Sequence, residues 1–294
     1  MELKVGFIGI GMMGLPMVEH LAGHGALRVL AFDAAPQRLE LLHGHPGWGK
    51  TLSAAVALAE LSACEVVVTM LPNSTITSAV IADLRTVLRA GAVIVDMGSS
   101  DPMQTRSLAQ RLEETGIRLL DAPVSGSVAK ARSGTLTIMV GGDEEAYGHA
   151  RPVLEAMGST LLRTGVAGSA HAMKALNNYV YAAGLMAVSE ALTIARRMEL
   201  DLEAFADVLN ASSGRNVATE TKLRQFMLSR AFNGGFALRL QAKDLATARS
   251  LQQAMGLPAP QLELCERLWQ QAAQSLEPGA DNTEILRFVE GRSP

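Results

Sequence analysis

The sequence predicts a mostly parallel, doubly wound α/β sheet followed by an all-α region joined to it through one long helix. Three observations predict it. Up to about Gly165, short runs rich in β-branched residues alternate with helical stretches, the pattern of βαβ units. Beyond that point the alternation stops and long helices with apolar periodicity and caps take over. The 294 residues also exceed what one hydrophobic core usually organises. The expected domains are residues 1–164 and 165–294.

In order along the chain, strands are predicted at residues 4–8, 28–32, 65–70, 92–96, 118–121, 136–140 and 160–163, most ending in a Gly, Asp or Pro turn. Residues 36–42 read as a helix with Leu39, Leu41 and Leu42 on its apolar side. A single helix over 169–197 leads from one domain into the next. Further helices follow at 201–210, at 240–255, where Gly256 and Pro258 stop it, and at 260–276. The final helix starts at Asp281 with Glu284 three residues on, a reciprocal capping pattern.

Hydrophobic residues make up 48% and charged residues 19% of the chain, the composition of a folded globular protein. A net charge of -3 gives no electrostatic reason to expect nucleic acid or an anionic membrane as partner, which leaves a small molecule. The longest apolar stretch, near 179–188, falls short of the ~20 residues that span a bilayer. Near the N-terminus the apolar run is broken by three glycines and soon reaches Glu19 and His20, unlike a signal sequence. The two cysteines, Cys64 and Cys265, sit in apolar contexts and are expected as buried thiols in a cytoplasmic protein, with no metal site.

The first predicted strand runs into Gly9-Ile10-Gly11-Met12-Met13-Gly14 and a helix-compatible stretch. The first glycine permits the tight turn, the second lets a pyrophosphate approach the backbone, and the third lets helix and strand pack closely. The phosphates would lie at the helix N-terminus. Asp33 ends the next strand, nineteen positions after Gly14, where a carboxylate accepts hydrogen bonds from an adenosine ribose and repels a 2'-phosphate. The pattern is that of a Rossmann domain binding NAD in preference to NADP, with Arg38 able to soften the preference. Residues 44–51, Gly-His-Pro-Gly-Trp-Gly-Lys-Thr, match a triphosphatase P-loop in form only, because a helix rather than a strand precedes them.

A second constellation starts at Asp121-Ala122-Pro123-Val124-Ser125-Gly126-Ser127, at the carboxyl end of a predicted strand, where Ser125 and the amides around Gly126 are placed to hold a carboxylate. Lys174, Asn177 and Asn178 fall on neighbouring positions of the long helix, an amine and two amides on an otherwise apolar stretch. Removing hydride from an alcohol requires loss of the hydroxyl proton, and the reverse reaction requires a donor; a lysine whose pKa is lowered by burial can serve both.

Taken together, GFIGIGMMG, MLP at 70–72, DAPVSG, GTL at 134–136, KALNN and KDL at 243–245 resemble the β-hydroxyacid dehydrogenase family over nearly the whole chain, in motif order. The resemblance implies an NAD-dependent oxidoreductase, a homodimer or homotetramer, that interconverts a small β-hydroxy acid and its semialdehyde or keto acid. It implies Lys174 as the catalytic acid/base and Ser125, Gly126 and Asn178, with Asn177 and Ser127 beside them, as substrate contacts. It also implies Leu71 and Pro72, Ser99 on the nicotinamide side, and Lys243 as cofactor contacts. Ser127 and Lys130 depart from glycines common in the family and bear on substrate choice, as does Arg215. Two other readings are an imine reductase on the same fold, disfavoured by Lys174, and a non-catalytic dinucleotide-binding protein.

Overall fold

Among residues 2–291, which the computed structural model describes, nine strands form one sheet: β1 (Leu3–Ile8), β2 (Leu27–Phe32), β3 (Leu52–Ala54), β4 (Val66–Thr69), β5 (Val93–Asp96), β6 (Arg118–Asp121), β7 (Val124–Ser125), β8 (Leu136–Gly141) and β9 (Gly158–Gly165). Interleaved helices are α1 (Gly14–Gly23), α2 (Gln37–Glu40), α3 (Ser74–Val87), α4 (Pro102–Glu113), α5 (Ser127–Arg132) and α6 (Glu144–Glu155). The order β3-β2-β1-β4-β5-β6 is parallel throughout; β8 pairs antiparallel with β6 and β7, and parallel with β9. The strand order therefore reverses between β1 and β4, the switch point beside which α/β sheets bind their ligands.

Helices cover both faces, which explains the unbroken apolar runs. Val66, Val68, Val93 and Val95 join Met17, Leu21 and Val153 in one core, while Val67 and Ile94 turn the other way to Ile81, Leu84 and Leu112. Each such side chain, fully buried, contributes about 1.5–3 kcal/mol. Two strands lie outside the alternation expected from sequence, the three-residue β3 and the two-residue β7, both too short for a period to register. The helix expected at 36–42 shortens to α2 and continues as turns. The P-loop-like segment that follows is a run of turns in which Trp48 lies against His43, with ring centroids 4.4 Å apart, and forms a bridge with Leu52 at the start of β3.

Two compact units are present, Met1–Lys174 and Ala175–Pro294. The long helix α7 (Ser169–Arg197) begins in the first, so the division lies ten residues past the end of the expected first domain. The reason is local: the Asp121 carboxylate accepts the Gly168 and His171 amides, tying the start of α7 to the sheet.

The second unit packs the rest of α7 with α8 (Leu202–Ala211), α9 (Leu238–Ala254), α10 (Pro260–Ser275) and α11 (Ile285–Gly291) around Leu185, Leu192, Leu245 and Trp269. A π-helical segment, Thr219–Leu228, which the sequence reading did not anticipate, lies between α8 and α9. Asp201 caps α8, and the reciprocal Asp281/Glu284 cap forms ahead of α11. Cys64 and Cys265 are free and buried, and burial pushes their thiols up to about 11 and about 12. Among the described residues no helix is long and apolar enough to cross a membrane.

Candidate active site

In the first unit the expected site residues gather at the carboxyl ends of parallel strands. The turn after β1 is built by close approach: Gly9 has φ +104°, and its amide donates to the Phe32 carbonyl at 2.9 Å. A Cβ at Gly14 would fall on the Gly9 carbonyl oxygen, and one at Gly9 on the Met70 carbonyl oxygen. At Gly11, by contrast, the nearest atom to such a Cβ is Arg38 Nη1 at 3.8 Å. The turn is thus sealed beneath and open above, at the N-terminus of α1, the shape a pyrophosphate requires. Met12, at 78% exposure, points away from the core, whereas Ile10 is buried and Met13 half-buried.

Asp33, one residue past β2, holds this turn in place. Its carboxylate accepts the Ile10 amide at 2.7 Å and the Ala35 amide at 2.8 Å, and each oxygen keeps a lone pair for a ribose hydroxyl. The exposed Arg38 donates from Nη1 to the Ile10 carbonyl at 3.2 Å, which sets a cation beside Gly11. Leu71 and Pro72 follow β4; Leu71 lies against Gly9 and Gly98. Ser99, half-buried, follows β5 between two residues bound to one carboxylate, since Asp96 accepts the Gly98 amide at 3.1 Å and the Ser100 hydroxyl at 2.6 Å.

Beyond β6 the chain passes Pro123 and continues as β7 along β8 in unbroken register, Asp121 opposite Gly141 and Ser125 opposite Thr137. This carries the exposed Ser125 past the sheet edge. Gly126 (φ +132°) and Ser127 (φ +60°) then turn the chain into α5, which packs against α1, with His20 Nε2 3.0 Å from the Arg132 carbonyl. Lys130 is exposed, and its stem fills the space above Gly126. Lys174 Nζ donates to the Val124 carbonyl at 2.9 Å, so the amine stands one residue from Ser125.

One helical turn before Lys174, His171 joins a buried polar cluster that the sequence reading missed. Asp96, Asp121 and His171 are each at most 2% exposed. His171 Nδ1 is 2.9 Å from Thr105 Oγ1; its Nε2 is 3.7 Å from Asp96 Oδ2, and its Nδ1 is 4.0 Å from Asp121 Oδ2. Thr69 donates to Asp96 as well, at 3.1 Å. The one sequence signal was spacing, since His171 precedes Lys174 by three residues and shares its helix face.

The second unit holds the other expected residues. Asn178 Nδ2 donates to the buried Asp244 Oδ2 at 2.6 Å, which fixes the amide so that Oδ1 is its acceptor end; Asn177 Nδ2 lies 3.2 Å from that oxygen. Asp244 was also missed, although it adjoins Lys243, whose amine lies 3.6 Å from it. Arg215, expected near substrate, is 65% exposed and paired with Glu220. Elsewhere in this unit burial lowers the pKa of Lys222 against the pull of Asp281, and burial lifts Tyr181 to about 12 despite the Asn282 amide. Among the described residues no group of three or more His, Cys, Asp or Glu is placed to hold a metal ion.

Two family models cover the chain: the NAD binding domain of 6-phosphogluconate dehydrogenase matches residues 4–168, and the NAD-binding domain of NADP-dependent 3-hydroxyisobutyrate dehydrogenase matches residues 168–289. The 2-(hydroxymethyl)glutarate dehydrogenase of Eubacterium barkeri is 35% identical over 92% of this chain and 89% of its own. The mitochondrial 3-hydroxyisobutyrate dehydrogenase of Mus musculus is 30% identical over 100% of this chain and 89% of its own. A solved structure of 3-hydroxyisobutyrate dehydrogenase from Mycobacterium tuberculosis with L-serine superposes with a TM-score of 0.92 at 29% identity, covering 100% of both chains.

Proposed function

The chain belongs to the β-hydroxyacid dehydrogenase family, NAD-binding oxidoreductases acting on hydroxyl groups, and on that premise we propose that it interconverts a small β-hydroxy acid and its semialdehyde or keto acid with Lys174 as general acid/base. The observation that carries this reading is the Lys174 amine, 2.9 Å from the Val124 carbonyl and beside Ser125 at the carboxyl edge of the sheet.

NAD, held by the Gly9–Gly14 turn, Asp33, Leu71, Pro72 and Ser99, supplies the hydride acceptor. The remaining work falls to the protein. Ser125 and the Gly126 amide hold the substrate carboxylate, so that the hydroxyl on the β-carbon comes within reach of Lys174 Nζ. In oxidation the neutral amine accepts the hydroxyl proton; in reduction the ammonium returns it to the forming alkoxide. Val124 takes one N–H of the amine and limits where its remaining hydrogens and lone pair point. Asp244 occupies the Asn178 Nδ2, which leaves Oδ1 as its acceptor end; the place of Asn178 among the substrate contacts rests on the family resemblance. The roles of Asn177, Ser127 and Lys243 rest on the family resemblance. Lys130 and Arg38 add positive charge, the first toward an acidic substrate and the second toward a 2'-phosphate.

We further propose a cytoplasmic homodimer or homotetramer. Apolar Met173, Val180 and Ile194, at seven- and fourteen-residue spacing along α7 and 48–69% exposed, support an interface there. Turnover by wild type and Lys174→Ala across a panel of β-hydroxy acids, including 3-hydroxyisobutyrate, glycerate, serine and 2-(hydroxymethyl)glutarate, with NAD and NADP in parallel, tests the reading. The expected result is NAD-linked turnover that falls about 100-fold or more in the variant while NADH binding persists. Reduction of imines without turnover of any hydroxy acid would replace it with the imine reductase reading.

A further inference from the structure

We propose that His171 is a positioning residue that sets Lys174 against the loop bearing Ser99, through a buried clamp of two carboxylates and a threonine. The proposal rests on the reading of Lys174 as acid/base.

A lysine reaches its target through a four-carbon stem with free rotors, so the amine is only as well placed as the helix turn that carries it. That turn is held by hydrogen bonds from two directions and packed against a carboxylate on a third. The Asp121 carboxylate, at the end of β6, accepts the Gly168 amide at 2.8 Å and the His171 amide at 2.9 Å, taking donors that a helix start leaves without intrahelical partners. The His171 ring is wholly buried and reaches Thr105 on α4 at 2.9 Å. Thr105 spends its hydroxyl proton on the Asp101 carbonyl at 3.0 Å, so the ring Nδ1 is the donor in that pair.

The third direction is Asp96. With Nδ1 the donor, Nε2 is an acceptor; it faces Asp96 Oδ2 across 3.7 Å, beyond hydrogen-bond distance, and has no hydrogen-bond partner of its own. A buried ring nitrogen left in that state is costly, and an apolar side chain of like size would pack there without the cost. What the ring adds is a fixed spacing between two working parts. Asp96 also binds the Gly98 amide and the Ser100 hydroxyl, the residues on either side of Ser99. One face of the clamp therefore orders the Ser99 loop and the other orders the start of α7. His171, three residues before Lys174 on the same helix face, lies between them. Asp96 and Asp121 are the charged groups facing the ring, and Thr105 is its neutral partner. Proton and hydride must leave the same substrate carbon and its oxygen in one geometry, and displacement by ~1 Å costs about 100-fold in rate.

The test compares wild type, His171→Leu, His171→Gln, His171→Asn and Lys174→Ala, with His171→Leu repeated in the Lys174→Ala background. Leu removes both ring nitrogens; Gln keeps a polar group but loses the donor to Thr105; Asn retains that donor. NADH affinity and thermal unfolding serve as fold controls, and whichever of Leu or Gln folds carries the comparison. We expect kcat to fall about 10- to 100-fold in Leu and Gln with KM within about threefold, and Asn to recover to within about threefold of wild type. In the Lys174→Ala background, followed in single turnover, the same change is expected to cost less than about twofold, because a residue acting through the lysine has nothing left to act on.

Reductive methylation of Lys174, read by peptide mass spectrometry against the exposed Lys50, gives a readout independent of turnover. It should quicken several-fold in Leu and Gln and stay unchanged in Asn. An undiminished kcat in Leu and Gln, an equal loss in both backgrounds, or unaltered methylation would overturn the clamp while leaving the lysine reading intact. Full turnover in Lys174→Ala would remove the lysine reading, and the clamp with it.

Discussion

The turn after β1 and the start of α7 both stand at the carboxyl ends of parallel strands, yet they are shaped by opposite means. The Gly9–Gly14 turn is shaped by missing side chains: carbonyl oxygens sit where Cβ atoms would be, and the one long side chain at its crest, Met12, projects into solvent. The start of α7 is shaped by side chains that are present and buried, with Asp96, Asp121, His171 and Thr105 all at most 2% exposed. Two sensitivities follow. The turn should tolerate changes in polarity and fail on volume, whereas the helix start should tolerate changes in volume and fail on lost hydrogen bonds.

The largest effect is expected on the first side of this comparison. Gly14→Ala places a methyl on the Gly9 carbonyl oxygen, with Phe7 Cε1 at 3.2 Å on the far side, so the turn must open or α1 must shift. NADH affinity, measured by fluorescence titration, should fall about 100-fold, equivalent to about 2.7 kcal/mol. Met12→Gln, in the same turn, should bind NADH as wild type does. Equal losses in the two variants would mean that polarity rather than close approach governs the turn.

A middle effect is expected on the second side. Asp121→Asn barely changes volume, but one acceptor oxygen must then serve where two accepted the Gly168 and His171 amides, and an N–H₂ group faces an N–H. The loss should be about 2 kcal/mol of stability, read as a lower thermal midpoint with a matching fall in kcat. Leu120→Val, a volume change on the neighbouring buried position, should cost less in kcat. If the isosteric Asn were silent, buried polar pairing would not be what sets the start of α7.

The same contrast explains what the sequence disclosed. The glycines lie within six consecutive positions, their spacing is dictated by backbone geometry, and Asp33 falls at the end of the next strand, so the turn and its carboxylate are legible from local pattern alone. Strand alternation likewise gives the sheet, because β4 and β5 are buried on both faces and read as continuous apolar runs. The clamp is not legible in this way. Asp96, Thr105, Asp121 and His171 come from four elements, and no period or spacing links them until the sheet has ordered β5 beside β6. Asp244 escaped for the same reason, since its partner Asn178 lies 66 positions away. Lys174 was identified by residue type and resemblance; the carbonyl that holds it, on Val124, is a backbone group that sequence does not mark.

The smallest effect tests the junction where the two modes meet. Ser127 follows Gly126 into α5 with φ +60°, a left-handed conformation that glycine adopts freely and other residues adopt at a cost of about 1 kcal/mol or more. A backbone requirement of the kind that governs the Gly-rich turn is here met by a side-chain residue, beside the Ser125 hydroxyl proposed to hold the carboxylate. Ser127→Gly relieves the strain, but it also raises the conformational entropy of the unfolded chain, so the net gain should be only about 0.5 kcal/mol, a small rise in thermal midpoint. Kinetics then separate the two roles. If Ser127 is only a conformational substitute for glycine, KM for every hydroxy acid stays as in wild type. If its hydroxyl touches substrate, KM rises for some acids and not others while the midpoint still rises, and the strain is retained for selectivity.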